Sequence, residues 1–181
     1  MVTGKVLIIE GTSDTRNGNL RQGFHKLLGQ KLKGNMPRIV MGDGKHQAIK
    51  KFTPFKNVRY PRLLIDLDEK ENIRFDDLKK NNLSNKSDLV FYMIQEMEAW
   101  FLSQPEILDD YYSGKISKKI PKGLASAISK PSDLLYKITK SSKKKKYHKV
   151  VHAVDLLQKL DATKLMVDFE DFKRLIETLN N

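Results

Sequence analysis

The chain contains no cysteine, which excludes a disulfide framework, thiolate metal sites and a thiol nucleophile, and fits a reducing compartment. It also lacks any apolar run near the roughly 18–20 residues that a membrane-spanning helix requires. The opening stretch MVTGKVLIIE holds too short an apolar run for a secretory signal. A cytoplasmic protein with no membrane partner is therefore expected. Acids are scarce in two long regions: residues 1–64 carry 13 Lys/Arg against 3 Asp/Glu, and residues 115–149 carry 12 against 1. Between them, residues 65–114 carry 5 against 12. The net charge is +12, and its segregation is the informative part. An acidic centre between basic flanks suits a cation site that serves a polyanion, because carboxylates hold the metal while lysines attract phosphate.

With 181 residues, 39% of them hydrophobic, the chain can bury a core of its own. The runs KVLII (5–9), PRIVM (37–41), RLLID (62–66) and LVFYMI (89–94) are short and continuous, the pattern of strands buried on both faces of a parallel sheet. Leu20, Phe24, Leu27, Leu28 and Leu32 recur at helical spacing and predict an amphipathic helix closed by Gly34. Ala48, Ile49 and Phe52 predict a shorter one. Strand, helix, strand, helix, strand is the grammar of an α/β fold, whose sites form where loops leave the C-terminal ends of strands. After Pro105 the strand signal stops. Helices are predicted near 105–112, 132–139, 147–160 and 168–179, giving an α/β core over 1–104 and a basic helical annex over 105–181 packed on it.

Acids stand at three of the predicted strand ends: Glu10 in VLIIEG, Asp66 and Asp68 in LLIDLDE, and Glu96 and Glu98 in MIQEMEAW. Taken singly each has a structural explanation, as a turn former, a strand cap or a partner of a helix dipole. Taken together they converge on one sheet edge, where like charges raise one another's pKa unless a cation joins them. On an extended segment Asp66 and Asp68 point the same way and can reach one Mg²⁺ ion, which prefers oxygen ligands. Asp14, Glu69 and Glu96 are the alternates. Lys45 lies in MGDGKH, whose glycines allow backbone N–H groups to face an anion; the spacing is not that of a Walker loop. His148 and His152, at i and i+4, lack the glutamate of a zincin motif and are expected to be surface residues. Tyr111, Tyr112 and Tyr147 are expected to pack half-buried, and Trp100 to sit in the core.

EG after the first strand, DxD after the third and an acid after the fourth resemble the Toprim domain of topoisomerases, primases and overcoming-lysogenization-defect type nucleases. EGTSD, Arg21 to Phe24, MPRIVMGDGK, LLIDLDE, MIQEMEAWFLSQPE and YHKVVHAVDLLQKLD are similar to a bacterial Toprim-like family encoded beside AAA or ABC-type ATPases. The resemblance implies a small Toprim-like parallel sheet of about four strands flanked by helices, with the annex included. It implies Mg²⁺, with Mn²⁺ able to substitute, held by Glu10, Asp66, Asp68 and Glu98. Glu10 would serve as general base or acid, and Lys45 and Lys149 as positive groups at the phosphoryl centre. Family members often carry Ser then Glu after the first Asp, whereas this chain has Leu67, Asp68 and Glu69, leaving Asp68 and Glu69 both open as the second ligand. Arg16, Arg21, Lys143, Lys144, Lys145 and Lys146 are the expected nucleic-acid contacts.

Three activities follow as expectations. The first is a metal-dependent nuclease on DNA or RNA, an anti-phage effector gated by an ATPase. The second is a non-catalytic subunit that binds nucleic acid or the ATPase through its basic surface. The third, primase-type nucleotidyl transfer, has no nucleotide-specific signal in the sequence.

Overall fold

The four apolar runs form four parallel strands, and the helices between and after them cover both faces of the resulting sheet. A computed structural model of the chain describes residues 4–14, 19–53, 61–142 and 146–181. In order, the elements are β1 (Val6–Ile9), α1 (Leu20–Gly29), β2 (Arg38–Met41), α2 (Lys45–Phe52), β3 (Pro61–Asp66), α3 (Arg74–Lys80) and β4 (Val90–Met93). Then come α4 (Glu98–Leu102), α5 (Pro105–Tyr112), α6 (Pro131–Thr139), α7 (Val151–Lys159), α8 (Ala162–Asp168) and α9 (Glu170–Asn180). No helix among the described residues is long and apolar enough to cross a membrane.

The sheet order is β2-β1-β3-β4. Because side chains alternate along a strand, Leu7, Ile9, Leu64, Phe91 and Met93 face one layer, while Val6, Ile8, Leu63, Ile65, Val90 and Tyr92 face the other. The first layer holds α1 and the C-terminal helices in a single apolar core. The second is thinner, built from Ala48 and Phe52 of α2 and Leu78 of α3. Trp100 is fully buried, with its ring centroid 5.2 Å from that of Phe172 and 6.4 Å from that of Phe24. It therefore joins α4 to α1 and α9. Gly23 lets α7 lie against α1, since a Cβ there would stand 3.0 Å from Leu157 Cβ.

Several expected boundaries move. The helix expected to run through Leu32 ends at Gly29, and Leu32 reaches the core from the turn that follows. The helix α3 has one buried residue, Leu78, too little periodicity to be read from sequence. The stretch expected to be helical over 147–160 becomes helical only at Val151, so Tyr147 and Lys149 lie on irregular backbone. The stretch 168–179 belongs to two helices, α8 and α9, separated at Phe169, whose backbone is extended.

At the edge of the sheet, the β4 backbone finds a partner in a side chain. Asp171 of α9 accepts a hydrogen bond from the Tyr92 N–H at 2.8 Å, and Arg74 and Arg174 neutralise its buried carboxylate. Trp100→Ala is expected to cost about 3–5 kcal/mol, the usual range for emptying a large aromatic site in a core, measured by urea denaturation. A cost below about 1 kcal/mol would show that Trp100 is not what joins these layers.

Candidate functional site

Where consecutive crossovers leave a parallel sheet on opposite faces, the loops part and a crevice opens at the C-terminal ends of the strands. Here α1 leaves β1 for one layer, whereas α2 and α3 pack on the other, so the crevice lies between the neighbouring strands β1 and β3. Glu10 is the first residue beyond β1 and Asp66 the last of β3. The Glu10 N–H donates to the Leu64 carbonyl at 2.8 Å, continuing the ladder, and its Oε2 accepts the Asp66 N–H at 3.0 Å. Asp66 Oδ1 in turn accepts the Met97 N–H at 2.9 Å. The acids are thus locked to backbone on both sides. Gly42, next to Ile9 across the sheet, must be glycine, because a Cβ would come within 2.4 Å of Ala48 Cβ.

Glu98 opens α4 and is completely buried. Its Oε1 accepts the Tyr147 hydroxyl at 2.8 Å, and its Oε2 is buried with no hydrogen-bond partner. The Lys149 ammonium stands 3.8 Å from that Oε2 and 4.0 Å from Asp66 Oδ2. Beside this group lies a cavity of about 360 Å³, whose wall includes Glu10, Thr12, Gly44, Asp66, Met97 and Lys149.

The electrostatics follow from burial. Desolvation, reinforced by the charge on Glu10, pushes the Asp66 carboxyl well above the usual aspartate range even though Lys149 opposes it. Burial also raises Glu10 against the pull of the Asp66 N–H. Glu98 is raised by burial too, with Lys149 and the Tyr147 hydroxyl working the other way. For Lys149, burial disfavours the charge, but the fields of Glu98, Asp66, Glu96 and Glu10 outweigh it and raise its pKa. Among the described residues no three His, Asp or Glu side chains stand close enough, as placed, to form a closed set of metal ligands.

The structure sets Glu10, Asp66, Glu98 and Lys149 about one crevice, while Asp68 and Lys45 form a second pair whose charges still act on Glu10. Asp68 does not share the direction of Asp66. The strand has ended, Leu67 is buried, and Asp68 takes φ 65°, so the argument from an extended segment fails. Instead Asp68 meets Lys45 at 3.0 Å, and Lys45 also reaches Asp77 at 3.2 Å. Although burial opposes its charge, the hydrogen bond to Asp68 raises Lys45. These residues line a separate cavity of about 340 Å³.

Glu96 accepts the Ser132 N–H at 2.9 Å, a cap for α6. Asp14 and Glu69 are exposed, Glu69 on the wall of the Lys45–Asp68 cavity, and Arg21 is exposed on α1. Lys146 donates to the Tyr136 hydroxyl at 2.7 Å. Arg16, Lys143, Lys144 and Lys145 lie outside the described residues.

Tyr111, Tyr112 and Tyr147 are buried rather than half-buried. His148 is exposed as expected, but His152 is partly buried, its Nδ1 3.0 Å from the Tyr112 hydroxyl. Tyr147 is the functional neighbour that sequence reasoning passed over. No local pattern signals it, since 147–160 reads as helix and only the fold sets the Tyr147 hydroxyl on Glu98. Asp77, the second partner of Lys45, was also missed.

A family model described as "Domain of unknown function (DUF4276)" matches residues 8–180. The chain belongs to that family. The match spans both the sheet and the C-terminal helices, so every residue of the Glu10, Asp66, Glu98 and Lys149 group falls within the family's domain. No curated protein and no solved structure matches the chain.

Because the native chain holds the Asp66 proton to higher pH than the unfolded chain does, the contribution of Asp66 to stability is fully present below the ordinary aspartate value of 3.8. It is lost as pH rises through the raised native value. Without divalent cation, the Asp66 contribution to stability should fall as pH climbs from about 4 into that range. Asp66→Asn should flatten the slope and raise Tm near neutral pH by a few degrees, on a scale of about 2–4 °C per kcal/mol. An unchanged slope in thermal melts would show that Lys149 compensates the charge in full.

Proposed function

We propose that the chain is a divalent-metal-dependent nuclease of the Toprim type, hydrolysing phosphodiesters of DNA or RNA. One observation carries the reading: Glu10, Asp66 and Glu98 converge at the crevice between β1 and β3, with a buried Glu98 oxygen that lacks a hydrogen-bond partner. Buried carboxylates are expected to be paired or to bind a metal. The donor chemistry fits a hard cation, since every candidate ligand offers oxygen. Asp66 and Glu98 would hold it, with Glu10 beside them; when bound, Mg²⁺ or Mn²⁺ supplies Lewis acidity toward a phosphoryl oxygen and toward water.

The chain's own residues supply the rest. Glu10, raised by burial, is a stronger base than an ordinary glutamate and would take the proton from an attacking water. Lys149 offers positive charge to the phosphate, a role expected of it together with Lys45, whose ammonium is engaged by Asp68 and Asp77. Thr12 and Gly44 also line the cavity beside these acids. The basic regions on either side of the acidic centre provide sequence-independent affinity for the polyanion. An AAA or ABC-type ATPase is the proposed partner, anti-phage defence the proposed setting and the cytoplasm the proposed location.

A second reading is favoured by Lys149, which already neutralises two of the acids: a non-catalytic subunit that binds nucleic acid or the ATPase. The two separate in a cleavage assay on single- and double-stranded DNA and RNA with Mg²⁺ or Mn²⁺, run with and without the ATPase. Asp66→Ala is expected to lower cleavage by more than about 100-fold while leaving salt-dependent binding in place. Binding by the wild type with no cleavage under any of these conditions would favour the subunit instead.

A further inference from the structure

The group that neutralises the crevice comes from the chain itself, and its geometry is that of a group able to leave. We infer that Lys149 is a built-in, displaceable counter-ion: in the metal-free chain its ammonium holds the position between Asp66 and Glu98, and a divalent cation enters by exchanging with it. This rests on the metal-dependent reading above and adds to it a means of loading.

Three features carry the inference. The first is distance. The ammonium lies 3.8 Å from Glu98 Oε2 and 4.0 Å from Asp66 Oδ2, beyond the roughly 2.7–2.9 Å of a charge-assisted hydrogen bond. It is held by the field of the acids and not by directional bonds, so its departure breaks none.

The second is the asymmetry of exposure. The Lys149 side chain is 54% exposed, whereas those of Asp66 and Glu98 are 8% and 0% exposed. The carboxylates are fixed and the lysine has a route to water. Removing it without replacement would leave two buried acids uncompensated, so exchange for another cation is the favourable way out.

The third is the anchor next to it. Tyr147 is buried, donates its hydroxyl to Glu98 Oε1, and donates its backbone N–H to Thr139 Oγ1 at 2.7 Å. Two residues before the lysine, the backbone is therefore pinned. Glu98 keeps Oε1 engaged and presents Oε2, and only the Lys149 side chain has to swing. Lys149 also lines the cavity, so the displaced ammonium moves toward its mouth, where a phosphate would meet it. Loading would then place positive charge on the substrate side of the crevice.

The test uses the full chain at fixed pH without nucleic acid. Mn²⁺ affinity, read by calorimetry or by the electron paramagnetic resonance of the free ion, is expected to tighten by about ten-fold or more in Lys149→Met, because the cation no longer displaces a competing charge. Lys149→Arg, which keeps the charge, should stay near wild type. A metal-free readout runs beside it: Lys149→Met should lose stability in urea, and lose clearly less of it in a Glu98→Gln background.

Unchanged or weaker Mn²⁺ binding by folded Lys149→Met would overturn the exchange. Failure of both chains to bind Mn²⁺ would overturn the exchange and the metal-dependent reading together. Tighter binding in Lys149→Met, with no cleavage by wild type, would leave the exchange standing and remove only the nuclease.

Discussion

Carboxylates crowded at one edge of a parallel sheet must find positive charge, and the arrangement of this protein turns on that requirement. Glu10 and Asp66 are neighbours because β1 and β3 are neighbours in parallel register, and Glu98 joins them because β4 delivers the chain beside β3. The sheet cannot form without bringing the acids together. Burial then raises all three. Such a grouping works against folding at neutral pH and marks a candidate functional site. The buried charge of Asp171, by contrast, is met by Arg74, Arg174 and the Tyr92 N–H.

The C-terminal helices complete the site as well as cover the sheet. They share one apolar core with β1, β3 and β4 through Trp100, Phe169 and Phe172. The same packing brings the irregular segment before α7 over the crevice, where Tyr147 and Lys149 meet Glu98. The α7 helix is held there by close contact with α1 at Gly23. A protein reduced to its α/β portion would keep Glu10 and Asp66 at the strand ends but lose both partners of Glu98, Tyr147 and Lys149, which makes the helical part integral to the candidate site.

Much of this was legible in the sequence because it depends on local pattern. The four apolar runs became the four strands within a residue or so at each end, and loops from the C-terminal strand ends gather at one edge of such a sheet, so the juxtaposition of Glu10, Asp66 and Glu98 could be expected beforehand. Asp68 was misplaced because its alignment with Asp66 assumed that the extended backbone continues. The chain instead turns through positive φ at Asp68, a change that no periodicity announces. Lys45 was read for its glycine loop, yet its partners Asp68 and Asp77 come from segments 23 and more residues away. Tyr147 looked like packing because a tyrosine that packs and one that donates a buried hydrogen bond have the same local sequence. Only the tertiary arrangement, which puts its hydroxyl on Glu98, tells them apart.

A cation site at Asp66 and Glu98, beside Glu10, would be visible directly. The most direct measurement is crystallographic: crystals of the chain soaked in Mn²⁺, with anomalous difference density sought in the crevice. The account predicts a peak within ligand distance of Asp66 and Glu98, beside Glu10, with the Lys149 ammonium moved away from the two carboxylates. A crevice with no anomalous peak at saturating Mn²⁺, and Lys149 still between Asp66 and Glu98, would contradict it.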